Sequence, residues 1–440
     1  MRDRLDCAFE DLGEQQVKNI VRPVRVYRVR GRAIPAAAPA PASPLPLPEK
    51  PSIAVLPFRN MSGDPDQEYF ADGMVEEIIT ALSRIRWLFV IARNSTFTYK
   101  GQAVDVKQVG RELGIRYVLE GSVRKAGQRV RITAQLIDAT NATHLWADHF
   151  DGPLEDVFEL QDKVASSVAG VIEPALQAAE TARSVSRPTN DLTAYDLYLR
   201  GYAMALSSTG RTREALCLME QAIARDPRYG LALAWAAFCC FRLVHDDRSE
   251  DPNVDALKGA DFARRALEVA ADDPSIIADA ARSLAYFGED IDAMMALVDR
   301  ALALNPNYTR GWHISGALRL WAGQPDIAIE HIGAALHLSP RARVGTSLAV
   351  VGAAHFLARR FEEAMPKLLL AIQEDPSHPM PYRYLIACYA HMGRLSDARS
   401  IIRKLREITL VVLPDARFLR NPEHRELLLS GLRLAARETT

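Results

Sequence analysis

WHISGALRLWAGQPDIAIEHIGAALHLSP, residues 312–340, and LAVVGAAHFLARRFEEAMPKLLLAIQEDP, residues 348–376, carry one pattern. Gly316, Ala328 and Ala335 stand at the same distances before Pro340 as Gly352, Ala364 and Ala371 before Pro376, and Ala203, Ala215 and Ala222 repeat those offsets before Pro227. Small residues so placed let two antiparallel helices close to backbone contact, while Trp312, Leu318, Ile332 and Leu336 fill the remaining space. The proline cannot continue the second helix and so starts the turn into the next unit. From Pro274 the steps to Pro306, Pro340 and Pro376 are 32, 34 and 36 residues. Such a unit cannot bury its apolar face alone, but a stack of them can. Residues 191–430 are therefore expected to form an α-helical solenoid, with Gly393 and Ala398 in the last unit. Two departures stand out, the long polar segment RLVHDDRSEDPNVD between Phe241 and Ala256 and Ile386 in place of a small residue.

Upstream the period changes. SIAVLPF (52–58) and WLFVIAR (87–93) are short β-rich runs with a helical stretch from Tyr69 to Arg84 between them, a β-α-β unit. After a helix near Val104 to Leu113, RYVLEGSVRK and QRVRITAQLID form a hairpin in which Val130, Ile132, Ala134 and Leu136 alternate with polar residues. THLWADHF (143–150) alternates likewise, and a helix from about Glu155 to Ala182 closes the domain. Residues 51–183 are thus an α/β domain with a mixed sheet, and the chain is multidomain, α/β followed by all-α. The Pro/Ala tract AIPAAAPAPASPLPLPEK at 33–50 reads as a linker behind a leader of residues 1–32.

Composition excludes several classes. With 54 basic and 55 acidic side chains the formal net charge is -1, so nothing draws the chain generally toward nucleic acid or an anionic membrane, and no nucleic-acid partner is expected. No apolar run reaches about 18 residues, and the first twenty residues are charged throughout, so neither a membrane span nor a secretory signal is expected and a cytoplasmic location is. Five scattered cysteines without a C-x-x-C pair argue against a disulfide framework or a zinc site, and Cys239 and Cys240 read as core residues. Asp64, Asp66, Glu68 and Asp72 lack the glycine and distal glutamate of a calcium loop. His144 and His149 would point to opposite faces of a strand. Phosphate loops, dinucleotide fingerprints, hydrolase elbows and zincin helices have no local signature. No metal, cofactor or catalytic residue is assigned.

Trp312, Gly316, Ala328, Ala335 and Pro340 resemble the tetratricopeptide-repeat pattern. That resemblance implies a concave groove lined by first helices, and carrying its groove positions over places Arg200, Met204, Arg310, His313, Arg383 and His391 there, as holders of the acidic or C-terminal end of a partner peptide. KPSIAVLPFRNMSGDPDQEYFADGMVEEI with GIRYVLEGSVRKAGQRVRITAQLIDATNATHLWADHFD resembles a TolB-type N-terminal domain, which implies a regulatory or interaction module. FEDLGEQQVKNIVRPVRVYRV (9–29) resembles the C-terminal tail of a class III nucleotide cyclase domain. That family catalyses with two metal-binding aspartates, an asparagine and an arginine which residues 1–32 do not supply, so no cyclase activity is expected of this chain. The expectation is a non-catalytic protein-binding adaptor in cyclic-nucleotide signalling. Its alternatives are the regulatory half of a full adenylate cyclase and an envelope-associated scaffold.

Overall fold

The computed structural model describes residues 7–15, 22–31, 51–62, 68–102, 104–126, 129–153, 157–185, 193–207, 209–338 and 345–437. The linker at 33–50, the turn at Ala126 to Gln128 beyond its first residue, Asp64, Asp66, Pro340 and most of SVSRPTND (184–191) lie outside them.

In the leader, β1 (Cys7–Gln15) pairs antiparallel with β2 (Val24–Gly31), with an irregularity between Asp11 and Glu14. Arg25 and Asp11 form an ion pair across this hairpin at 2.9 Å. Residues 1–46 are a compact unit by themselves.

The rest of the chain is a second unit. Its sheet contains β3 (Ser52–Val55), β4 (Arg59–Asn60), β5 (Phe89–Val90), β6 (Tyr117–Ala126), β7 (Arg129–Asp138) and β8 (Thr143–Pro153). The order is β5-β3-β6-β7-β8, with β4 also pairing β6. Pairs involving β3, β4 and β5 are parallel, whereas β6, β7 and β8 form an antiparallel meander. Alternation along β7 buries Val130, Ile132, Ala134 and Leu136 on one face. That face packs against α1 (Glu68–Ser83) through Phe70, Met74 and Ile78, and against α4 (Val157–Val185) through Val164, Val168 and Ile172. Ala54, Leu56 and Val118 on the opposite face meet Val109 of α3 (Val106–Leu113). A short helix, α2 (Arg93–Thr96), precedes α3. Two of the four acids weighed as a calcium loop serve Lys100 instead, whose Nζ lies 2.7 Å from Asp72 and 3.3 Å from Glu68.

Six helix pairs follow, α5 (Ala194–Ser207) with α6 (Thr212–Arg225), α7 (Gly230–His245) with α8 (Pro252–Val269), and α9 (Pro274–Tyr286) with α10 (Ile291–Leu304). Then come α11 (Thr309–Trp321) with α12 (Pro325–Leu338), α13 (Gly345–Leu357) with α14 (Phe361–Glu374), and α15 (Pro379–His391) with α16 (Leu395–Arg406). A final helix, α17 (Pro422–Ala436), covers α15. The small residues do what their spacing requires. A Cβ on Gly316 would lie 2.9 Å from Ile332 of the paired helix, and one on Gly352 would lie 2.7 Å from Leu368. Ala328, Ala364 and Ala371 are fully buried.

Pro274 departs from the expectation. It is the first residue of α9, behind an Asp273 cap that accepts from Ser275 and Ile276, whereas Pro306 stands in the turn before α11. The second unit is the longest, running from Gly230 to the start of α9 at Pro274, and its extra length is the polar segment between α7 and α8. Packing nevertheless continues from α7 through α8 to α9. Ile386 is accommodated as a buried residue. Burial pushes the thiols of Cys239, Cys240 and Cys388 up, so they stay protonated core residues. Among the described residues no helix is long and apolar enough to cross a membrane.

The α/β layer and the solenoid meet at Glu180 on α4, only 2% exposed. Its carboxylate accepts from Arg116 Nη1 at 2.9 Å, from the Tyr117 hydroxyl at 2.6 Å and from the Tyr195 hydroxyl of α5 at 3.3 Å. Glu180→Ala deprives a buried guanidinium of its carboxylate and should cost about 3–5 kcal/mol in denaturant unfolding of the full chain. A cost below about 1 kcal/mol, the scale of an exposed pair, would show that the seam does not rest on this residue.

Candidate functional site

Aromatic residues recur along the inner faces of α5 and α7 at helical spacing. Tyr198, Tyr202, Trp235, Phe238 and Phe241 follow one another in tilted and edge-on contacts, with ring centroids 5.9 Å apart for Tyr198 and Tyr202, 4.3 Å for Tyr202 and Trp235, 4.8 Å for Trp235 and Phe238, and 5.9 Å for Phe238 and Phe241. This ladder forms one wall of a cavity of 380 Å³. All six first helices contribute to its lining, from α5 to α15, as do α4 and Trp87 of the α/β layer. The volume suits a small ligand or one or two inserted side chains.

Charge at the cavity is organised by Asp279 of α9, 1% exposed. Arg310 of α11 grips it twice, through Nη2 at 2.8 Å and Nε at 3.1 Å, and Arg282 donates to the same carboxylate at 2.6 Å. Both guanidiniums also lie over rings, Arg310 at 4.5 Å from the Trp235 centroid and Arg282 at 4.4 Å from that of Phe238. Burial pushes Arg282 down to about 9, with the neighbouring Arg310 charge adding to the effect, yet it remains a cation at neutral pH. Burial also opposes the charge of Arg310, but Asp279 outweighs it and raises the group. Two cations on one carboxylate leave the wall with a surplus positive charge.

Glu173 of α4 faces the same cavity, 3.4 Å from the Trp87 indole nitrogen. Burial, reinforced by Asp273 at the start of α9, pushes its carboxyl up to about 7 against the hydrogen bond from Trp87. The α4 side also offers Gln177, which accepts from the Tyr202 hydroxyl at 2.9 Å.

Of the six residues expected in a groove, Arg310 and His313 come together here. His313 contacts Ser347 Oγ at 3.3 Å, and burial beside Arg282 and Arg310 lowers it to about 3, so it is a neutral polar group rather than a cation. The others are placed elsewhere. Arg200 donates to the Ser184 carbonyl at 2.9 Å and ties α5 to the end of α4, and Met204 is half-buried against the core. For Arg383 and His391 the expectation of a free concave face is corrected. Arg383 is 0% exposed, ion-paired with Asp247 and donating to the Val411 carbonyl at 2.6 Å. His391 stacks on Phe361 and lies 2.8 Å from the Leu427 carbonyl of α17. Both are covered because the segment after α16 and α17 itself fold over α15. Asp279, Arg282 and Glu173 escaped the sequence reading. A lone acid within the apolar run IIADAARSL was the available signal for Asp279.

Residues 49–167 match the family described as HilA/YgeH-like transcriptional regulator, second domain. Over 246 residues, 55% of the chain, the sequence is 48% identical to "Putative adenylate cyclase 3" of Rhizobium meliloti (strain 1021). The chain spans 41% of that relative's length. Among solved structures, the human IFIT1 dimer with PPP-AAAA aligns with a TM-score of 0.42 at 18% identity, over 58% of this chain and 61% of that one. TolB from Acinetobacter baumannii aligns with a TM-score of 0.23 at 20% identity, over 31% of this chain and 30% of that one. What is shown is a mixed α/β sheet followed by a long region of tetratricopeptide-like helical repeats, in a chain with a relative named as an adenylate cyclase.

The raised Glu173 has a thermodynamic consequence. Its folded form holds a proton up to about 7, while the unfolded chain releases it near 4.5, so its contribution to stability is present in full at acid pH and is lost as pH rises through that interval. Unfolding titrations across that range should show the wild type losing stability relative to Glu173→Gln as pH increases. Parallel curves for the two proteins would remove Glu173 from this account.

Proposed function

We propose that the chain is a regulatory binding module whose aromatic, cation-rimmed cavity receives an acidic side chain or the C-terminal carboxylate of a protein partner. The observation that carries this reading is the pairing of Arg282 and Arg310 on the single carboxylate of Asp279, inside a wall of aromatic rings that six repeats build together. A buried guanidinium with donors left over is suited to a carboxylate, and flat rings supply contact area at low entropic cost. In this reading the α/β layer is a TolB-like or regulator-like interaction module that does no chemistry, and the leader hairpin derives from a cyclase domain.

The test is selection from a library of short random peptides presented with free or amidated C-termini, followed by calorimetry on the full chain. Selected peptides should carry an acidic or free C-terminal group next to an apolar side chain. Arg310→Met, which keeps the bulk over Trp235, should weaken them by roughly tenfold or more, the scale for loss of a charge-assisted pair. Peptides that bind equally well to this variant would sink the cavity as the binding place.

A second reading follows from the 48% identity to a relative named as an adenylate cyclase. In it the native product is longer and this chain is its regulatory part. An immunoblot of source cells with an antibody to residues 300–400 separates the two, since a band near 48.7 kDa favours a free-standing adaptor. A band heavier by a domain's mass, on the order of 10–20 kDa or more, favours the cyclase reading.

A further inference from the structure

The polar segment that lengthens the second repeat carries His245 and Asp246 to one end of the cavity, where they meet His378. His245 is the last residue of α7, Asp246 caps that helix, and His378 precedes α15 as its N-cap. One donor atom from each of the three lies within 4.8 Å of the other two, and His378 Nε2 stands 3.9 Å from Asp246 Oδ1. We propose that His245, Asp246 and His378 bind a divalent transition-metal ion of the zinc class, clasping the second repeat to the sixth.

Three features of the cluster support this. Asp246 is fully buried, yet only one of its oxygens is engaged, Oδ2 accepting from Arg242 Nε at 2.7 Å. Its Oδ1 and the Nδ1 of His245 are buried with no hydrogen-bond partner among the described residues. Polar atoms in that condition are costly to keep unless something occupies the space between them. Next, the arrangement beyond the donors is that of a built metal site, in which a second residue grips the ligating carboxylate and fixes which oxygen points inward. Arg242 does this for Asp246. Asp247, left-handed at φ 56, turns away to pair with Arg383, so Arg242 and Arg383 each have a carboxylate of their own. Last, two imidazoles and a carboxylate form an N/O set for zinc and leave a position for water or an anion. Both histidines line the cavity from which that group would come.

Zinc bonds of about 2.0–2.2 Å place tetrahedral donors about 3.3 Å apart, so side-chain rotation moving the atoms by an ångström or so completes the site. No cysteine belongs to the cluster. This assignment does not rest on the peptide-binding reading of the cavity, since it requires only the three side chains.

The experiment is calorimetric titration of the chelator-treated full chain with zinc chloride, with cobalt(II) substitution as the spectroscopic reading. One zinc per chain is expected. His378→Gln and Asp246→Asn should each weaken it by about tenfold or more, while His149→Ala, an exposed histidine on β8, should leave it unchanged. Cobalt should give the visible absorption of low-symmetry nitrogen and oxygen coordination without a thiolate charge-transfer band, a result independent of how well the variants fold. Absence of stoichiometric zinc, equal binding by a His245→Ala/His378→Gln double variant, a loss of equal size in His149→Ala, or a thiolate band would each overturn the proposal.

Discussion

A buried carboxylate with three donors holds the second unit together. Glu180 lies where the C-terminal part of α4 leaves the sheet, and it receives Arg116 and Tyr117 from the start of β6 and Tyr195 from the first repeat helix. Neither layer can supply this site alone. The sheet provides the cation and a phenol, α4 provides the acid, and the solenoid provides the last donor. Because a buried ion pair repays its desolvation only when its remaining lone pairs are satisfied, the orientation of α5 relative to β6 is fixed more narrowly than apolar packing would fix it. Ser184, one helical turn further along α4, reinforces the seam, its hydroxyl donating to the Asp196 carbonyl and its own carbonyl accepting from Arg200.

That seam sets what the cavity is. With α4 held against α5, its residues Glu173 and Gln177 are carried to the inner side of the repeats, and Gln177 meets the hydroxyls of Tyr198 and Tyr202. At the far end Arg420 donates to carbonyls of Ala285 and Glu289, drawing the segment before α17 across α9 and bringing Phe418 against Tyr286 and Trp321. An open concave groove would read an extended segment along its length. Here α4 at one end and the Phe418 segment at the other border a space into which the first helices converge.

How far the sequence revealed this varies with the range of the interaction. Strand alternation in β7 and the small-residue offsets of the repeats are local, set by the geometry of one element or one helix pair, and both were legible. The two-residue β5 is shorter than the apolar run 87–93, with Phe89 and Val90 in register with Ser52 and Ile53 of β3 and the Ile91 amide donating to the Ile53 carbonyl as the pairing ends. Groove positions were harder. Periodicity says which side of a helix is inner, but it cannot say that α17 and the segment before it cover the inner residues of α15, and so by periodicity alone Arg383 and His391 look available. Tyr202, Trp235 and Phe238 have the spacing of ordinary core residues, and nothing local marks them as the wall of a cavity. The charges of Arg282 and Arg310 were visible, but their shared partner sits on a different helix from Arg310.

The polar segment after Phe241 shows why departures from a repeat are informative. A repeat unit has a strong reason to keep its turn short, since every added polar residue at the helix end must find partners inside a packed stack. The segment finds them at long range, Asp247 with Arg383 and Asp255 with Arg213. The Asp247–Arg383 pair closes a distance that neighbour-to-neighbour stacking does not close, tying the second repeat to the sixth, while Asp255 and Arg213 join the second repeat to the first. In a solenoid, where each unit otherwise touches only its neighbours, such a tie converts a chain of local stabilities into one cooperative body. The polarity that broke the repeat pattern is therefore the means by which the stack shuts on its own interior.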